Sequence, residues 1–256
     1  MRTSKINYYW RLFATFLAFS FFGIGGLIIS LTIFPLLYIV PIEKAKKVRF
    51  SRQVVKLSFR VFIWYLKTIG ILTYEFRNIE RVRKREALFI VANHPTLLDV
   101  VFLISIADLP NCVVKQAVWS NPFMFCTVRT MGFIKNSTDP EELLFRCKKV
   151  LEEQDGLLLF PEGTRTEPNG EIILKRAVAH IALGCQKKIT PIRIRCEPIM
   201  LSKKHRWYNI PLEGPPHFCI EIQEDINVGP FLDLENGRTW SARHLTKHIE
   251  EQLKKE

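Results

Sequence analysis

Two short polar motifs, each directly after an apolar run, contain the residues whose types and spacing are suited to chemistry. The first is Asn93–Asp99 (NHPTLLD) and the second is Phe160–Arg165 (FPEGTR). A His with an Asp five residues later is suited to general base catalysis, because the carboxylate can hold the imidazole in one tautomer. The second motif supplies a carboxylate, a tight turn and a guanidinium, a set suited to binding an anion.

His94 is the candidate base. A solitary His near a helix start is more often a cap or core residue, but Asp99 favours a functional interpretation. We expect Pro95 to open a helix, with Asp99 about one turn in and close enough to orient the imidazole. The sequence contains no Gly-x-Ser-x-Gly elbow, and none of its six cysteines adjoins a His. Direct attack by a substrate hydroxyl is therefore simpler than a protein nucleophile.

Three basic residues are candidates for holding a phosphate. Arg165 offers a planar fork at the end of the second motif, and Lys175 and Arg176 follow about ten residues later on the next predicted helix. Each of them alone is more often a solvated surface charge. The position after the Glu-Gly-Thr turn favours a binding function for Arg165, whereas for Lys175 and Arg176 both interpretations stay open.

Short apolar segments alternate with helical patterns after the basic linker 81–85, which predicts an α/β sheet. Both motifs leave apolar strands of this sheet, where ligands of open α/β sheets bind, so we expect the two loops to converge. The predicted strands are 88–92, 157–160, 189–196 and 217–222, and helices are predicted from Pro95, from Asp139 to before Gly156, over about 174–183 and over 239–256.

The N-terminal part of the chain has the composition of a membrane segment. Residues 12–42 carry no charge, and no small-x-small cleavage site follows them, so this run should stay on the mature protein. As one straight helix it would reach about 46 Å, well beyond a hydrocarbon core of about 30 Å. Gly and Pro residues interrupt the run and both flanks are basic. A single tilted span is compatible with this pattern, and so is a bent, re-entrant or one-leaflet arrangement.

A second, amphipathic helix is predicted over about 49–76. Its apolar side would enter the lipid while its basic side meets the headgroups, although an ordinary amphipathic helix packed on the domain has the same periodicity. We accordingly divide the chain into membrane-anchoring helices (1–80) and a catalytic domain (81–256). The basic side consists of Arg49, Arg52, Lys56, Arg60 and Lys67.

Composition limits the partners. The 256 residues include 37 Lys and Arg against 25 Asp and Glu, a formal charge of +12, which implies an anionic partner. The basic residues concentrate beside apolar membrane segments and no nucleic-acid motif occurs, so lipid or a phosphorylated small molecule is favoured over nucleic acid. The cysteines lack Cys-x-x-Cys or metal-like spacing, which indicates reduced thiols and no metal site.

With both motifs complete, the chain resembles the lysophosphatidic-acid (1-acylglycerol-3-phosphate) acyltransferase family over roughly residues 88–196. The resemblance implies an α/β acyltransferase domain, with a mostly parallel sheet flanked by helices and an N-terminal membrane-embedded two-helix segment. It also implies that His94 is the general base and Asp99 its orienting partner. Residues 190–192 resemble a later family block near the acyl chain. The acceptor phosphate would be bound by Glu162, Gly163, Thr164 and Arg165.

The chain departs from the family pattern in its second block. Relatives carry a phosphate-binding Arg there, where this chain has Lys135 or Asn136. A second departure is Ala177, where many relatives have a Gly after the basic pair. Lys attracts phosphate as a point charge but does not reproduce the Arg fork. Residues 94–101, 114–119 and 121–123 look like bacterial members associated with aryl-polyene or related lipid biosynthesis. That subgroup would favour an acyl carrier protein as donor and an unusual lipid as acceptor.

The sequence thus predicts a membrane-bound O-acyltransferase that moves an acyl chain from acyl-CoA or acyl carrier protein to a lysophospholipid hydroxyl. No other cofactor is expected. We expect the protein in a bacterial inner membrane, with its catalytic domain on the cytoplasmic side. The alternatives are a non-glycerophosphate lipid or polyene acceptor, a lipid hydrolase using the same site, or a non-catalytic membrane-binding protein.

Overall fold

A seven-stranded sheet forms the centre of the described part of the molecule. The computed structural model describes residues 5–83, 88–107, 111–120, 125–137, 139–153, 155–167, 171–232 and 237–254. The strands are β1 (Thr73–Arg77), β2 (Phe89–Ala92), β3 (Asn111–Val114), β4 (Ile134–Lys135), β5 (Leu157–Leu159), β6 (Ile189–Glu197) and β7 (His217–Ile222).

The helices come before, between and after these strands. Two further 3-10 turns lie at Ile79–Arg81 and Gly229–Phe231. The helices are α1 (Lys5–Leu31), α2 (Ile33–Ile39), α3 (Lys44–Thr68), α4 (Asp99–Ile106), α5 (Gln116–Trp119), α6 (Phe125–Thr130), α7 (Pro140–Glu152), α8 (Ala177–Cys185) and α9 (Gly237–Lys254).

The strand order is β1-β7-β6-β2-β5-β3-β4. Strand β2 pairs in parallel with both β5 and β6, and β3 pairs in parallel with β5 and β4. Only the β6–β7 pair is antiparallel among the described strands, so β7 and its parallel neighbour β1 run opposite to the other five. The predicted mostly parallel α/β sheet is confirmed.

Helices cover both faces of the sheet. On one face, side chains of α1, α3 and α4 pack with Ile90 of β2, and on the other, side chains of α7, α8 and α9 pack with Phe89. All four residues of β2 are therefore buried, which explains why this strand is continuously apolar. The motif that follows β2 begins at the centre of the molecule.

The long apolar run is broken near its C-terminal end. Helix α1 ends at Leu31 and α2 starts at Ile33, because Pro35 has no N–H to donate to the Leu31 carbonyl and its ring crowds that group. Taken together, Lys5–Ile39 is long and apolar enough to cross a membrane, by length and composition.

Helix α3 differs from the amphipathic helix predicted over about 49–76. It ends at Thr68, and Thr73–Arg77 instead form β1, which pairs with β7, so the sheet begins before residue 81. The prediction that the whole basic side meets headgroups is wrong. Arg52 is buried, and the Arg60 Nε donates to the Ser105 carbonyl. Arg49 and Lys67 of this side remain exposed. Phe62, Ile63 and Leu66 of the apolar side are buried in the core of the domain, as the alternative interpretation required.

The side of α3 that faces away from the domain is apolar and exposed, as expected for a lipid-facing surface. This side presents Phe50, Leu57, Val61 and Trp64. The predicted later helices are close to the observed ones, and Asp139 caps α7 by accepting from the Glu141 N–H. Residues 84 and 85 of the basic linker, and the stretch 121–123, lie outside the described residues.

Candidate active site

The two motifs meet at one edge of the sheet. His94 follows β2 and Glu162 follows β5, and these strands are parallel neighbours whose carboxyl ends share that edge. The His94 backbone N–H donates to Glu162 Oε1 at 2.9 Å, and the Thr166 backbone N–H donates to the His94 carbonyl at 2.8 Å. The predicted convergence of the two loops is confirmed.

His94 and Asp99 are in direct contact, with 2.8 Å between His94 Nδ1 and Asp99 Oδ2. The local fold differs from the prediction, because α4 begins at Asp99 and not at Pro95. The carboxylate accepts the Thr96 backbone N–H at 2.7 Å and its hydroxyl at 2.5 Å. These bonds hold residues 95–98 in a turn, so Asp99 starts the helix instead of lying one turn inside it.

Asp99 is fully buried, and this burial raises the pKa of its carboxyl. The hydrogen bonds from His94 and Thr96 oppose that effect. When ionised, the carboxylate only accepts, so the contact places the His94 ring proton on Nδ1. The Nε2 lone pair is then left to take a proton from a substrate.

Phe160, the first residue of the second motif, covers the His94 ring. The two rings are stacked with centroids 4.2 Å apart and an interplanar angle of 24°. The His94 side chain is only 17% exposed. Contact with Phe160 and the Asp99 bond together fix the ring plane and restrict water around the imidazole.

Glu162 lies inside the site and is 7% exposed. Its Oε1 accepts both the His94 N–H and the Thr166 hydroxyl, the latter at 3.0 Å. Burial raises the pKa of the Glu162 carboxyl, and these two hydrogen bonds oppose the effect. The geometry makes Glu162 a positioning residue for the His94 backbone, whereas the resemblance implied an acceptor-binding role.

Gly163 forms the turn of the second motif with a φ of +70°, a conformation that other residues rarely adopt. A Cβ at this position would lie 2.9 Å from Lys175 Nζ, so the Lys175 side chain passes directly over the turn. The Lys175 backbone N–H also donates to the Pro161 carbonyl at 2.8 Å. The structure thus brings Lys175 beside Gly163 and the partly exposed Thr164.

Arg165 fixes the chain that follows β6. Its Nη1 donates to the carbonyls of Leu201 and Ser202, both at 2.9 Å. Its other two guanidinium nitrogens have no hydrogen-bond partner in the described part of the chain. Arg165 is half-buried, so one edge of its fork holds this segment and the other is available to a ligand.

Lys135 and Arg176 are not drawn into this group. Lys135 is the last residue of β4. Two strand spacings, about 10 Å, separate β4 from β5. Arg176 is exposed just before α8. Burial, and then the charge of Arg176, lower the pKa of His180. Neither side chain hydrogen-bonds to the two motifs within the residues described.

Three positioning residues were not assigned from sequence: Thr96, Thr166 and Asn93. The Asn93 amide donates to the Ile194 carbonyl at 2.9 Å and accepts the Ile194 N–H at 2.7 Å. The available signal was their place in or beside the motifs, since short polar side chains there satisfy backbone groups at strand ends.

The cysteines give no sign of a nucleophile. Burial raises the pKa of Cys112, Cys147 and Cys196 to about 12, so these thiols stay protonated. In the described ranges, no cluster of three or more His, Cys, Asp or Glu side chains could hold a metal ion.

Residues 73–195, which include both motifs, match the family model described as Acyltransferase. A 1-acyl-sn-glycerol-3-phosphate acyltransferase of Helicobacter pylori is 32% identical over 124 residues, covering 45% of this chain and 52% of that protein. The mouse 1-acyl-sn-glycerol-3-phosphate acyltransferase alpha is 26% identical over 160 residues, covering 59% and 55%. This chain therefore matches about half the length of these curated relatives.

The fold is similar to the crystal structure of the 1-acyl-sn-glycerophosphate (LPA) acyltransferase PlsC from Thermotoga maritima. The TM-score is 0.73 at 17% sequence identity, and the match covers 96% of this chain and 97% of that one. Residues 73–195 therefore match the acyltransferase family, and the chain has the fold of a solved 1-acyl-sn-glycerophosphate acyltransferase.

Proposed function

We propose that this protein is a membrane-bound O-acyltransferase that transfers an acyl chain from an acyl thioester to a lysophospholipid hydroxyl, with 1-acylglycerol-3-phosphate as the model acceptor. The His94–Asp99 pair carries this proposal. Its partly covered imidazole has one nitrogen bonded to a buried carboxylate and the other available to a hydroxyl. The named relatives support the acceptor class.

In the proposed reaction, His94 Nε2 takes the proton of the acceptor hydroxyl as its oxygen attacks the thioester carbonyl. The C–S bond then breaks, and the thiolate of coenzyme A or a carrier protein leaves with the proton from the imidazolium. Asp99 stabilises the imidazolium between these two transfers. Glu162 and Thr166 keep the His94 backbone in place throughout.

The acceptor headgroup is best matched by Arg165 of the second motif together with Lys175, which lies over its turn. Arg165 has an unused guanidinium edge, and Lys175 lies over the Gly163 turn, so a phosphate near Thr164 would meet both charges. Lys135 makes no hydrogen bond to either motif within the described residues and lies two strands from β5, so the headgroup can be larger or differently charged than a glycerol phosphate. This favours a non-glycerophosphate lipid as the second candidate acceptor.

Contacts along α1 support a one-leaflet arrangement of the N-terminal helices. Near its start the Arg11 Nη2 donates to the Pro211 carbonyl, and near its end the Ser30 hydroxyl contacts the Thr127 hydroxyl. These contacts are 19 residues apart, about 28 Å along a helix, which is close to the hydrocarbon thickness. A spanning α1 would hold parts of the domain at both membrane surfaces, so we propose that α1 lies along the membrane.

The function is tested by acyl transfer to lysophosphatidic acid from labelled acyl-CoA and, separately, from acyl carrier protein. Purified membranes with the wild-type protein are compared with those carrying His94→Ala. Loss of transfer in the variant, with unchanged protein in the membrane pellet, supports the proposal. Transfer that survives the substitution would remove His94 from the mechanism.

The same assay separates the alternatives. Fatty acid released without any acceptor, and lost in His94→Ala, would identify a hydrolase. If the wild type uses neither lysophosphatidic acid nor water, the labelled donor is offered with mixed lysolipids that lack a glycerol phosphate. Labelling of such a lipid would identify the second candidate acceptor.

The membrane arrangement is tested with a protease-sensitive tag at the N-terminus, in sealed vesicles that expose the catalytic domain. In the one-leaflet arrangement the tag and the domain are on the same side, so added protease removes the tag. A tag that is cleaved only after the vesicles are opened would instead show that α1 and α2 cross the membrane. The proposed side of the catalytic domain is the cytoplasmic one, in agreement with its free thiols.

A further inference from the structure

We propose that residues 198–212, here called the post-β6 segment, are a second lipid-contacting surface that binds the interface of an anionic bilayer. The segment joins the end of β6 to the region before β7 and lies at the edge of the sheet that holds the candidate active site. The proposal rests on the membrane attachment proposed above and assigns part of it to the catalytic domain itself.

One end of the segment is tied to the candidate active site. The Leu201 carbonyl accepts the Leu97 backbone N–H at 3.1 Å and the Arg165 guanidinium at 2.9 Å. The Ser202 carbonyl accepts a second bond from Arg165. The first part of the segment is therefore fixed to both motifs.

The C-terminal part of the segment contacts α1. The centroid of the Trp207 ring lies 6.2 Å from that of Phe16 and 6.1 Å from that of Phe19. The Pro211 carbonyl accepts a hydrogen bond from the Arg11 guanidinium. Trp207 remains 41% exposed beside Phe16, which is 52% exposed. The indole therefore extends the exposed apolar side of α1, and a lipid that covers this helix also meets Trp207.

The exposed side chains of the segment have the character of a membrane interface, where Trp and Tyr place a polar tip beside apolar surface and basic groups attract anionic headgroups. Lys203 pairs with Glu167, and Arg206 bonds to the Tyr208 hydroxyl, so both cations are held close to the surface. The exposed apolar residues are Ile199, Trp207, Tyr208 and Leu212, and the exposed cations are Lys203, Lys204 and Arg206.

Continuity with α1 and the excess of cations favour a bilayer as the occupant over a second copy of this chain. The +12 protein would repel its own copy at a basic surface, whereas anionic lipid gains from each cation near its headgroups. A surface tied to both motifs would also bring an acceptor lipid to the site directly from the membrane.

The test uses proteins that each keep one tryptophan, with the others changed to Phe. The test protein keeps Trp207, and the matched control keeps Trp240, which is similarly exposed at 39% but belongs to α9 on the opposite face. Both are bound to vesicles of phosphatidylcholine and phosphatidylglycerol with brominated or ordinary acyl chains. We expect bromine to quench Trp207 several-fold more strongly than Trp240.

Equal quenching of the two proteins while both pellet with vesicles would overturn the inference and leave the membrane attachment intact. Failure to pellet would overturn both. A Trp207 emission that depends on protein concentration and not on bromine would show a second copy on this surface. Acyl transfer is not measured, so an inactive protein still gives a decisive result.

A second measurement needs no substitution, in case the single-tryptophan proteins do not fold. The wild type in vesicles is treated with acetic anhydride, and the acetylation of Lys204 is compared with that of Lys247, an exposed residue of α9. Phosphatidylglycerol should slow the reaction of Lys204 several-fold relative to Lys247, compared with pure phosphatidylcholine vesicles. An unchanged ratio would contradict headgroup binding by the segment.

Discussion

His94 donates its backbone N–H to the carboxylate of Glu162, although 68 positions separate the two residues in the sequence. The position of the candidate base therefore depends on a residue of the other motif. Since the bond reaches the backbone, a change at Glu162 moves the whole residue and not only the ring. The two motifs consequently form one unit, in which the second holds the base of the first.

Glu162 gives the most direct test of this unit. Glu162→Ala leaves the His94 N–H and the Thr166 hydroxyl without their acceptor, which should cost about 1–3 kcal/mol of unfolding free energy and lower kcat markedly. Glu162→Gln keeps an oxygen at the same place and should retain much more activity. Unfolding in detergent and acyl-transfer kinetics measure both effects, and equal activity of the two variants would contradict the positioning role.

The pH dependence of stability follows from the buried state of Glu162. Because burial raises its pKa above the ordinary 4.5, its contribution to stability is complete below about pH 4.5 and is lost as pH rises through the folded-state pKa. Gln at this position does not titrate. The unfolding free energy of Glu162→Gln, relative to that of the wild type, should therefore increase as pH rises across this range. A difference that stays constant, or moves the other way, would contradict the assignment.

Asp99→Asn tests the tautomer of His94. The amide no longer favours a proton on Nδ1, so kcat should fall by about 10²–10⁴-fold while the fold and membrane binding persist. Thr96→Ser keeps the hydroxyl that supports Asp99 and should lose far less than Thr96→Val. Near wild-type turnover in Asp99→Asn would show that this carboxylate does not serve the base.

Arg165→Ala tests the binding of the acceptor phosphate. Loss of the unused guanidinium edge should raise the apparent KM for a phosphate-bearing acceptor by about 10–100-fold, with a smaller effect on the KM for the donor. Arg165→Lys keeps a charge without the fork and should be intermediate. An acceptor KM that is unchanged in Arg165→Ala would limit this residue to holding Leu201 and Ser202.

Arg52 links α3 to the sheet and should be important for stability. Its guanidinium bonds Asp155 through two nitrogens, and also Asn111 and the Met131 carbonyl. Arg52→Ala should cost about 3 kcal/mol, near the lower limit for a buried pair because Asp155 is 39% exposed. Arg49→Ala, at an exposed position of the same helix, should change stability by under about 0.5 kcal/mol. Similar losses in both variants would contradict this difference.

The sequence was sufficient to predict the central strands, because a strand buried on both faces is a continuous apolar run, as in β2. Periodicity also predicted α3, but not which side of it meets the domain. The partners of Arg52 lie 59, 79 and 103 positions away, so their proximity appears only in the fold. The hydrogen bonds of Glu162 to His94 and of Arg165 to Leu201 were not predicted for the same reason, since they connect distant loops.

The Asn93 side chain serves as a substitute peptide group. Its amide bonds both the N–H and the C=O of Ile194, two groups that successive residues of a longer β2 would otherwise have bonded through their backbones. The hydrogen-bonded ladder can therefore continue beneath the site while the main chain turns away to deliver His94. A buried strand end would otherwise leave polar groups of β6 unsatisfied beside the reacting atoms. The candidate base thus leaves the sheet without weakening the strand next to it.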